Sequence, residues 1–396
     1  MLLNKERLQA AMSQHALAAI VATAPENVLY SSGFWCLPQW IRRGPQAFVV
    51  LAAGEGEFAS VVITGTSTLD LVADQQVAGR VRRYGSFTVD EHPSTHLDMV
   101  SSRQAQLQRL PDDGNAVEAL ILELGTAGHA KGRLGIDEGG LMPGDMERLE
   151  RGLPDVTWVK AASILRSVRA VKTKEEISRL RTIARITERS VQAALSIAHE
   201  GATEIDLARA FHAQTVQEDG FPVLGCIGFG ERSALMNVQP SDRPLRHGDI
   251  IRFDVGGHYR NYRADIARIA SFGEPTREMA LKYRALRRGV QRGIEYMRPG
   301  VRASDVFQVV LETVRKEGIP HYQRNHVGHG IGLDGYDLPL LSPASSDLLE
   351  EGMVLCIETP YYELGCVGLQ VEDMLLIRPD GVEMLTDICE DMVVLH

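Results

Sequence analysis

Ile251-Arg252-Phe253-Asp254-Val255-Gly256-Gly257 and its continuation Tyr262-Arg263-Ala264-Asp265-Ile266-Ala267-Arg268 decide the reading of this chain. Apolar residues alternate around Asp254, which predicts a strand; Gly256-Gly257 predicts a turn, and the second run is the return strand. Asp254 and Asp265 then face each other across a hairpin. Three more candidate ligands lie in the same half of the chain. His329 sits in Val327-Gly328-His329-Gly330-Ile331-Gly332, where the glycines let backbone approach a site closely. Glu358 ends the apolar run Val354-Leu355-Cys356-Ile357, and Glu372 lies in Gly368-Leu369-Gln370-Val371-Glu372-Asp373.

Any one of these acids alone reads more readily as a solvated loop residue, and His329 as a packed core histidine. Together they pose an electrostatic problem, because four carboxylates converging in a low-dielectric core repel one another. Divalent cations resolve it. Oxygen ligands with one imidazole suit Mn, Fe, Co or Zn, and two such ions about 3.5–4 Å apart could be bridged by carboxylates and hold a hydroxide at neutral pH.

Helix signals surround this half. Thr173-x-x-Glu176 is a capping box that starts a helix near Lys174, within an amphipathic stretch from Ile164 to Arg189. Further helix starts are Thr203-Glu204-Ile205-Asp206 and Ser304-Asp305, the latter helix stopping at Gly318. Strands are expected at Asp249 to Val255, Ala264 to Ser271, Val354 to Glu358 and Gly368 to Ile377. Before Ala161 the texture differs: a helical pattern at Arg7-Leu8-Ala11-Met12 alternates with strand candidates at Leu17 to Thr23, Gln46 to Ala52 and Arg133 to Asp137. Two domains are expected, an α/β domain over residues 1–165 and a catalytic domain over residues 166–396.

The 396 residues carry 42 Lys plus Arg against 52 Asp plus Glu, a net charge of −10, which argues against nucleic acid as a partner. With 44% hydrophobic residues the chain has material for large cores. Charged residues in Met1 to Arg7 and the shortness of the apolar run Ala16 to Ala24 give the expectation of no export signal, no membrane span and a cytoplasmic location. Cys36, Cys226, Cys356, Cys366 and Cys389 are scattered, with no Cys-x-x-Cys pair, and read as reduced thiols, mostly in the core.

The order Asp254, Asp265, His329, Glu358, Glu372 resembles the ligand order of the pita-bread family that contains methionine aminopeptidase, Xaa-Pro aminopeptidase, prolidase and creatinase. Two further stretches extend the resemblance: Pro25-Glu26-Asn27-Val28-Leu29-Tyr30-Ser31-Ser32-Gly33-Phe34 is similar to the N-terminal domain signature of the two-domain members. Leu165-Arg166-x-Val168-Arg169 with Lys172, Glu175-Glu176-Ile177 and Leu180-Arg181 is similar to their junction. The resemblance implies an α+β chain with a C-terminal pita-bread domain behind an α/β creatinase-like domain used for dimerisation and substrate access. It also implies two divalent ions (Mn, Co, Fe or Zn), a dipeptide or small-molecule substrate, and a homodimer. Glu358 would be metal ligand and general base, with Asp265 and Glu372 bridging the ions.

Family peptidases usually carry histidines at the positions of Asn237 and Asn325, and often at that of Tyr336. His326 stands one residue out of register with the second, and the sequence leaves open whether it substitutes. Asn cannot exchange a proton at neutral pH, although Asn237, Asn325 and Tyr336 keep hydrogen-bonding capacity for substrate. Creatinase departs the opposite way, keeping histidines without metal. The expected function is therefore an Xaa-Pro dipeptidase-type metallohydrolase cleaving a C–N bond in a carboxylate-bearing substrate through a metal-held hydroxide. The replaced histidines point to a divergent substrate such as a non-peptide amide or cyclic amidine. A metal-dependent lyase and a non-catalytic binding module are the alternatives. Trp35, Arg42 and Arg43, in a Pro- and Gly-bounded loop, are further substrate-binding candidates, since Arg grips carboxylates and Trp offers a flat apolar wall. They read equally well as core tryptophans and surface arginines.

Overall fold

A computed structural model describes residues 2–52, 59–77, 79–92, 96–387 and 391–396. The chain divides into two compact units, Met1–Arg169 and Ala170–His396. Cys36, Cys226 and Cys356 are buried and Cys366 is exposed, all with free thiols, and Cys389 lies outside the described residues.

A six-stranded mixed sheet forms the first unit, in the order Arg80–Tyr84, Ala59–Gly65, Phe48–Ala52, Ala19–Ala22, Lys131–Ile136, Asp155–Lys160. The short apolar run Ala19–Ala22 is buried throughout, pairing antiparallel with Phe48–Ala52 and parallel with Lys131–Ile136. A strand buried on both faces needs this continuous hydrophobicity rather than alternation. The helix Ala116–Thr126, capped by the Asn115 side chain, sets Val117, Leu120 and Leu124 against Val21, Val50 and Leu134.

Within this unit Asn27 of the Pro25-Glu26-Asn27 stretch does structural work. Its amide donates to Asp137 Oδ2 at 2.8 Å and its carbonyl accepts from Arg169 Nη1 at 2.7 Å. Asp137, fully buried, also accepts from the backbone of Thr23 and Ala24. The stretch expected as a loop from Trp35 to Arg43 instead contains the helix Leu37–Arg42. Pro38 sits in its first turn, where its missing N–H costs nothing, and Arg43 ends it in the left-handed region at φ 60°.

A ten-stranded sheet carries the second unit. Its main path runs Asp337–Leu340, Gly328–Gly330, Val354–Glu358, Glu372–Arg378, Ile266–Phe272, Ile250–Tyr259, Phe221–Phe229. The capping boxes at Thr173 and Thr203 start the helices Lys174–Ser196 and Glu204–Gln217, and Gly318 ends Ala303–Glu317. Arg277–Tyr296 and Ala303–Glu317 pack Leu286, Val290, Val306, Val310 and Val314 into one core with Leu355, Ile357 and Leu375 from the sheet. That core holds the strands of Glu358 and Glu372 in place.

Candidate metal centre

Register across the sheet brings the acids together. Asp254 pairs with Ala267, Ala267 with Glu372, and Glu372 with Glu358, so these four residues form a row across four adjacent strands. Directly paired residues in antiparallel strands project to the same face. Three of the four are acids, and the fourth, Ala267, is a buried methyl that leaves room between them. Asp265 lies just before this return strand, where the ladder with Ile250–Tyr259 is interrupted. Gly256 makes that approach possible, because a Cβ there would collide with the Ala264 carbonyl. The oxygens of Asp254, Asp265 and Glu372 gather within 4.8 Å of one another.

His329 pairs with Cys356 on the next strand. Its Nδ1 lies 3.0 Å from Gly330 O, a carbonyl that can only accept, so Nδ1 carries the proton and Nε2 turns its lone pair elsewhere. Nε2 stands 4.0 Å from Asp265 Oδ2 and 3.9 Å from Glu372 Oε1. Gly330 permits this close packing, since a Cβ there would meet the Leu338 carbonyl. A fully buried ion pair, Lys172 Nζ to Asp337 Oδ2 at 3.0 Å, anchors the neighbouring strand, whose Asp337 is paired with Gly330.

Burial is the largest influence on these groups. It pushes Asp254 up to about 6, with the Arg252 guanidinium pulling the other way and Glu358 adding to the rise. Asp265 and Glu372 are raised well above the usual carboxylate range by burial and then by neighbouring carboxylates. Glu358 goes down: burial opposes this, but contact with His326 and the charges of His329, His326 and Arg324 prevail. The Cys356 thiol is driven well up by burial and neighbouring acids, and it donates to Asp265 O; its sulfur also gathers with ligand atoms of His329 and Glu372 within 4.8 Å.

Asp265 Oδ1 and Glu372 Oε1 are buried and make no hydrogen bond. Orphaned carboxylate oxygens at such depth are costly unless a cation takes them. A set of four carboxylates and one imidazole fits a divalent transition ion, so Asp254, Asp265, His329, Glu358 and Glu372 are the residues that would hold it.

Other candidates fall differently. Tyr336 stacks on His329 with centroids 3.8 Å apart and rings 17° from parallel, and its hydroxyl lies 3.4 Å from His326 Nε2. Asn237 and Asn325 are exposed. His326, beside Asn325, instead places Nε2 2.9 Å from Glu358 Oε1. Near Asn237 the link to the acids is made by backbone: Leu235 O and Met236 O accept from Arg252 Nη2 at 2.7 and 3.0 Å. Arg252, fully buried, also donates to Ser233 O, Asp254 Oδ2 and Gln370 Oε1. Sequence reasoning passed over it, although its spacing of two from Asp254 in a strand was a signal that both face the same side. In the first unit, Trp35 and Trp40 pack at 5.7 Å, Arg42 Nε donates to Gly44 O at 2.9 Å, and Arg43 is exposed.

Residues 178–379 match the model of metallopeptidase family M24, and residues 5–171 match the creatinase/prolidase N-terminal domain. The chain belongs to metallopeptidase family M24. An uncharacterized peptidase of Staphylococcus aureus (strain USA300) is 29% identical over 225 residues, covering 56% of this chain and 64% of that protein. The match thus spans less than two thirds of that relative's length. The X-Pro aminopeptidase from Thermotoga maritima MSB8 superposes with a TM-score of 0.78 at 23% identity over 99% of each chain. The prolidase from Pyrococcus furiosus gives 0.76 at 22% over 96% of this chain and 99% of that one. This M24 chain therefore has the pita-bread domain and the creatinase-like N-terminal domain expected of it. Among the described residues no helix is long and apolar enough to cross a membrane.

Proposed function

We propose that this protein is a metal-dependent hydrolase of the Xaa-Pro dipeptidase or aminopeptidase type, acting on a C–N bond of a small carboxylate-bearing substrate. The observation that carries the proposal is the row of acids beside His329, with orphaned oxygens on Asp265 and Glu372. When bound there, divalent ions supply Lewis-acid polarisation of the carbonyl and a lowered water pKa. Glu358, held ionised by its neighbours, takes the proton of the attacking water at its carboxylate. His326, 2.9 Å from Glu358 Oε1, is placed to pass a proton to the leaving nitrogen, a task that the amide of Asn325 cannot perform. Tyr336 limits the motion of both imidazoles by stacking on one and hydrogen-bonding the other.

Exposed Asn237 and the phenol of Tyr336, both in place of imidazoles, support a divergent substrate, a non-peptide amide or cyclic amidine, over an ordinary Xaa-Pro dipeptide, while His326 makes up for Asn325. Manganese as an ion, two ions per chain and a homodimer belong to the same proposal and rest on the resemblance to two-domain family members; a cytoplasmic location belongs to it too and is supported by the free, scattered cysteines. Assay of a panel of Xaa-Pro dipeptides with Mn²⁺ or Co²⁺ tests it. Turnover of about 1 s⁻¹ or more, the low end of ordinary enzymes, would establish peptidase action and rule out the divergent substrate. Slow dipeptide turnover beside rapid hydrolysis of a cyclic amidine is the expected result.

A further inference from the structure

The ten-stranded sheet has a seam, and the acids lie across it. Val354–Glu358 meets Glu372–Arg378 through five residue pairs, and Ile266–Phe272 meets Ile250–Tyr259 through six. Between these halves, Glu372–Arg378 meets Ile266–Phe272 through one pair among the described residues, Ala267 with Glu372. Asp254 and Asp265 belong to one half, and His329, Glu358 and Glu372 to the other.

One side chain spans this seam from behind. Ala267 faces the row of acids, so Arg268 projects to the opposite face of the sheet. There its Nη1 donates to Ala267 O at 3.0 Å and to Glu372 O at 2.6 Å, one carbonyl on each side of the seam. Its Nη2 lies 3.0 Å from Asp373 Oδ1, on a residue 1% exposed, and donates to Glu188 Oε1 at 3.1 Å and Asp387 O at 3.2 Å. Glu188 is carried by the helix Lys174–Ser196, which anchors the clamp from outside the sheet. Packing does not close this face: Val191, Leu195, Phe253, Arg268 and Ile269 line a cavity of about 140 Å³. A void forfeits contacts between the groups around it, so the polar clamp is what holds the two strands together there.

We infer that Arg268 is a positioning residue of the metal centre, fixing Asp254 and Asp265 of one half at their distance from Glu358 and Glu372 of the other. It acts through the backbone of Glu372 and the carboxylate of Asp373, and through no ligand side chain. Ions that need donors from both halves depend on that spacing, whereas each half alone keeps its own donors. This inference goes beyond the proposed function and rests on its metal-centre reading.

Isothermal titration of the full chain with Mn²⁺, run beside thermal denaturation, tests it. The variants are Arg268→Gln, Arg268→Lys and Arg243→Gln; Arg243 is held by Glu231 and Asp249, both on one side of the seam. Arg268→Gln is expected to weaken Mn²⁺ binding about 10–100-fold, the scale of losing a partner behind a metal ligand. Arg268→Lys, which keeps the charge without the fork, recovers part of that loss. Arg243→Gln lowers Tm and leaves Mn²⁺ affinity at the wild-type level. That contrast upholds the clamp, because a merely structural arginine would move affinity and Tm together in both positions. Should Arg268→Gln fail to fold, a greater loss of affinity in Arg268→Lys than in Arg243→Gln upholds the clamp, and an equal one overturns it. Wild-type affinity in folded Arg268→Gln, or the same loss in Arg243→Gln, overturns the inference while the metal centre stands. No Mn²⁺ uptake by wild type overturns both.

Discussion

Replacing Arg252 with leucine removes the group that joins three parts of the catalytic unit. Its guanidinium donates to the carbonyls of Ser233, Leu235 and Met236, to the Asp254 carboxylate at 3.2 Å and to Gln370 at 2.9 Å. The residue is fully buried, so water does not readily replace it. Removing one partner of a buried charged pair costs about 3–5 kcal/mol, because the other groups stay desolvated and unpaired. For a unit of this size each kcal/mol shifts Tm by roughly 2–4 °C, so Arg252→Leu is expected to lower it by about 6–20 °C. Far-UV circular dichroism or calorimetry is the assay, because Trp35, Trp40 and Trp158 all lie in the first unit and their emission does not report on the second. Arg252→Lys, able to reach only some of these acceptors, should fall between. A loss below about 1 kcal/mol in Arg252→Leu, the size of one ordinary hydrogen bond, would refute the role given to this residue.

Three other perturbations test neighbouring parts of the structure. Ala267→Leu fills the space between Asp254 and Glu372 without replacing a ligand, and is expected to abolish metal uptake in isothermal titration while the N-terminal unit stays folded. Lys172→Met leaves Asp337 charged and buried, costing about 3–5 kcal/mol in urea denaturation; the double variant with Asp337→Leu recovers most of that, and a double variant as unstable as the single would count against it. Asp254 has its pKa raised from 3.8 to about 6 by burial, so its contribution to stability is full below pH 4 and lost as pH rises through the folded value. Metal-free Asp254→Asn, which cannot ionise, should therefore gain in Tm relative to metal-free wild type between pH 4 and about 6. A difference that is flat or shrinks over that range contradicts the assignment.

Much of this architecture is legible in local sequence chemistry. The Thr173-x-x-Glu176 and Thr203-x-x-Asp206 boxes satisfy helix N-termini from within four residues. The turn expected at Gly256-Gly257 falls elsewhere: both glycines continue the strand Ile250–Tyr259, and the hairpin turns at Arg260-Asn261, both in the left-handed region at φ 47° and 69°. The amphipathic stretch from Ile164 to Arg189 forms two helices, Ala162–Ala170 and Lys174–Ser196, because Val171 and Lys172 pair with Met353 and Gly352. Arg252 and Arg324 were hidden for another reason. Their partners lie far along the chain, Tyr362 in the strand Tyr361–Glu363 and Gln370 between the strands Val367–Leu369 and Glu372–Arg378, and no periodicity reveals such contacts. His326 escaped residue counting because the backbone before His329 is irregular, with Gly328 at φ 149°, so a shift of one position still brings the ring to Glu358. The helix Leu37–Arg42 was obscured by Pro38, a helix breaker in most positions and a helix starter in the first turn.

Elemental analysis of protein reconstituted with Mn²⁺ or Zn²⁺ and then desalted asks most directly whether Asp254, Asp265, His329, Glu358 and Glu372 form a metal centre. Wild type should retain about two equivalents, as a carboxylate-bridged pair requires, and Asp265→Ala should lose them while its circular dichroism stays unchanged. Less than about a tenth of an equivalent in wild type, or equal retention by the two proteins, would contradict the assignment.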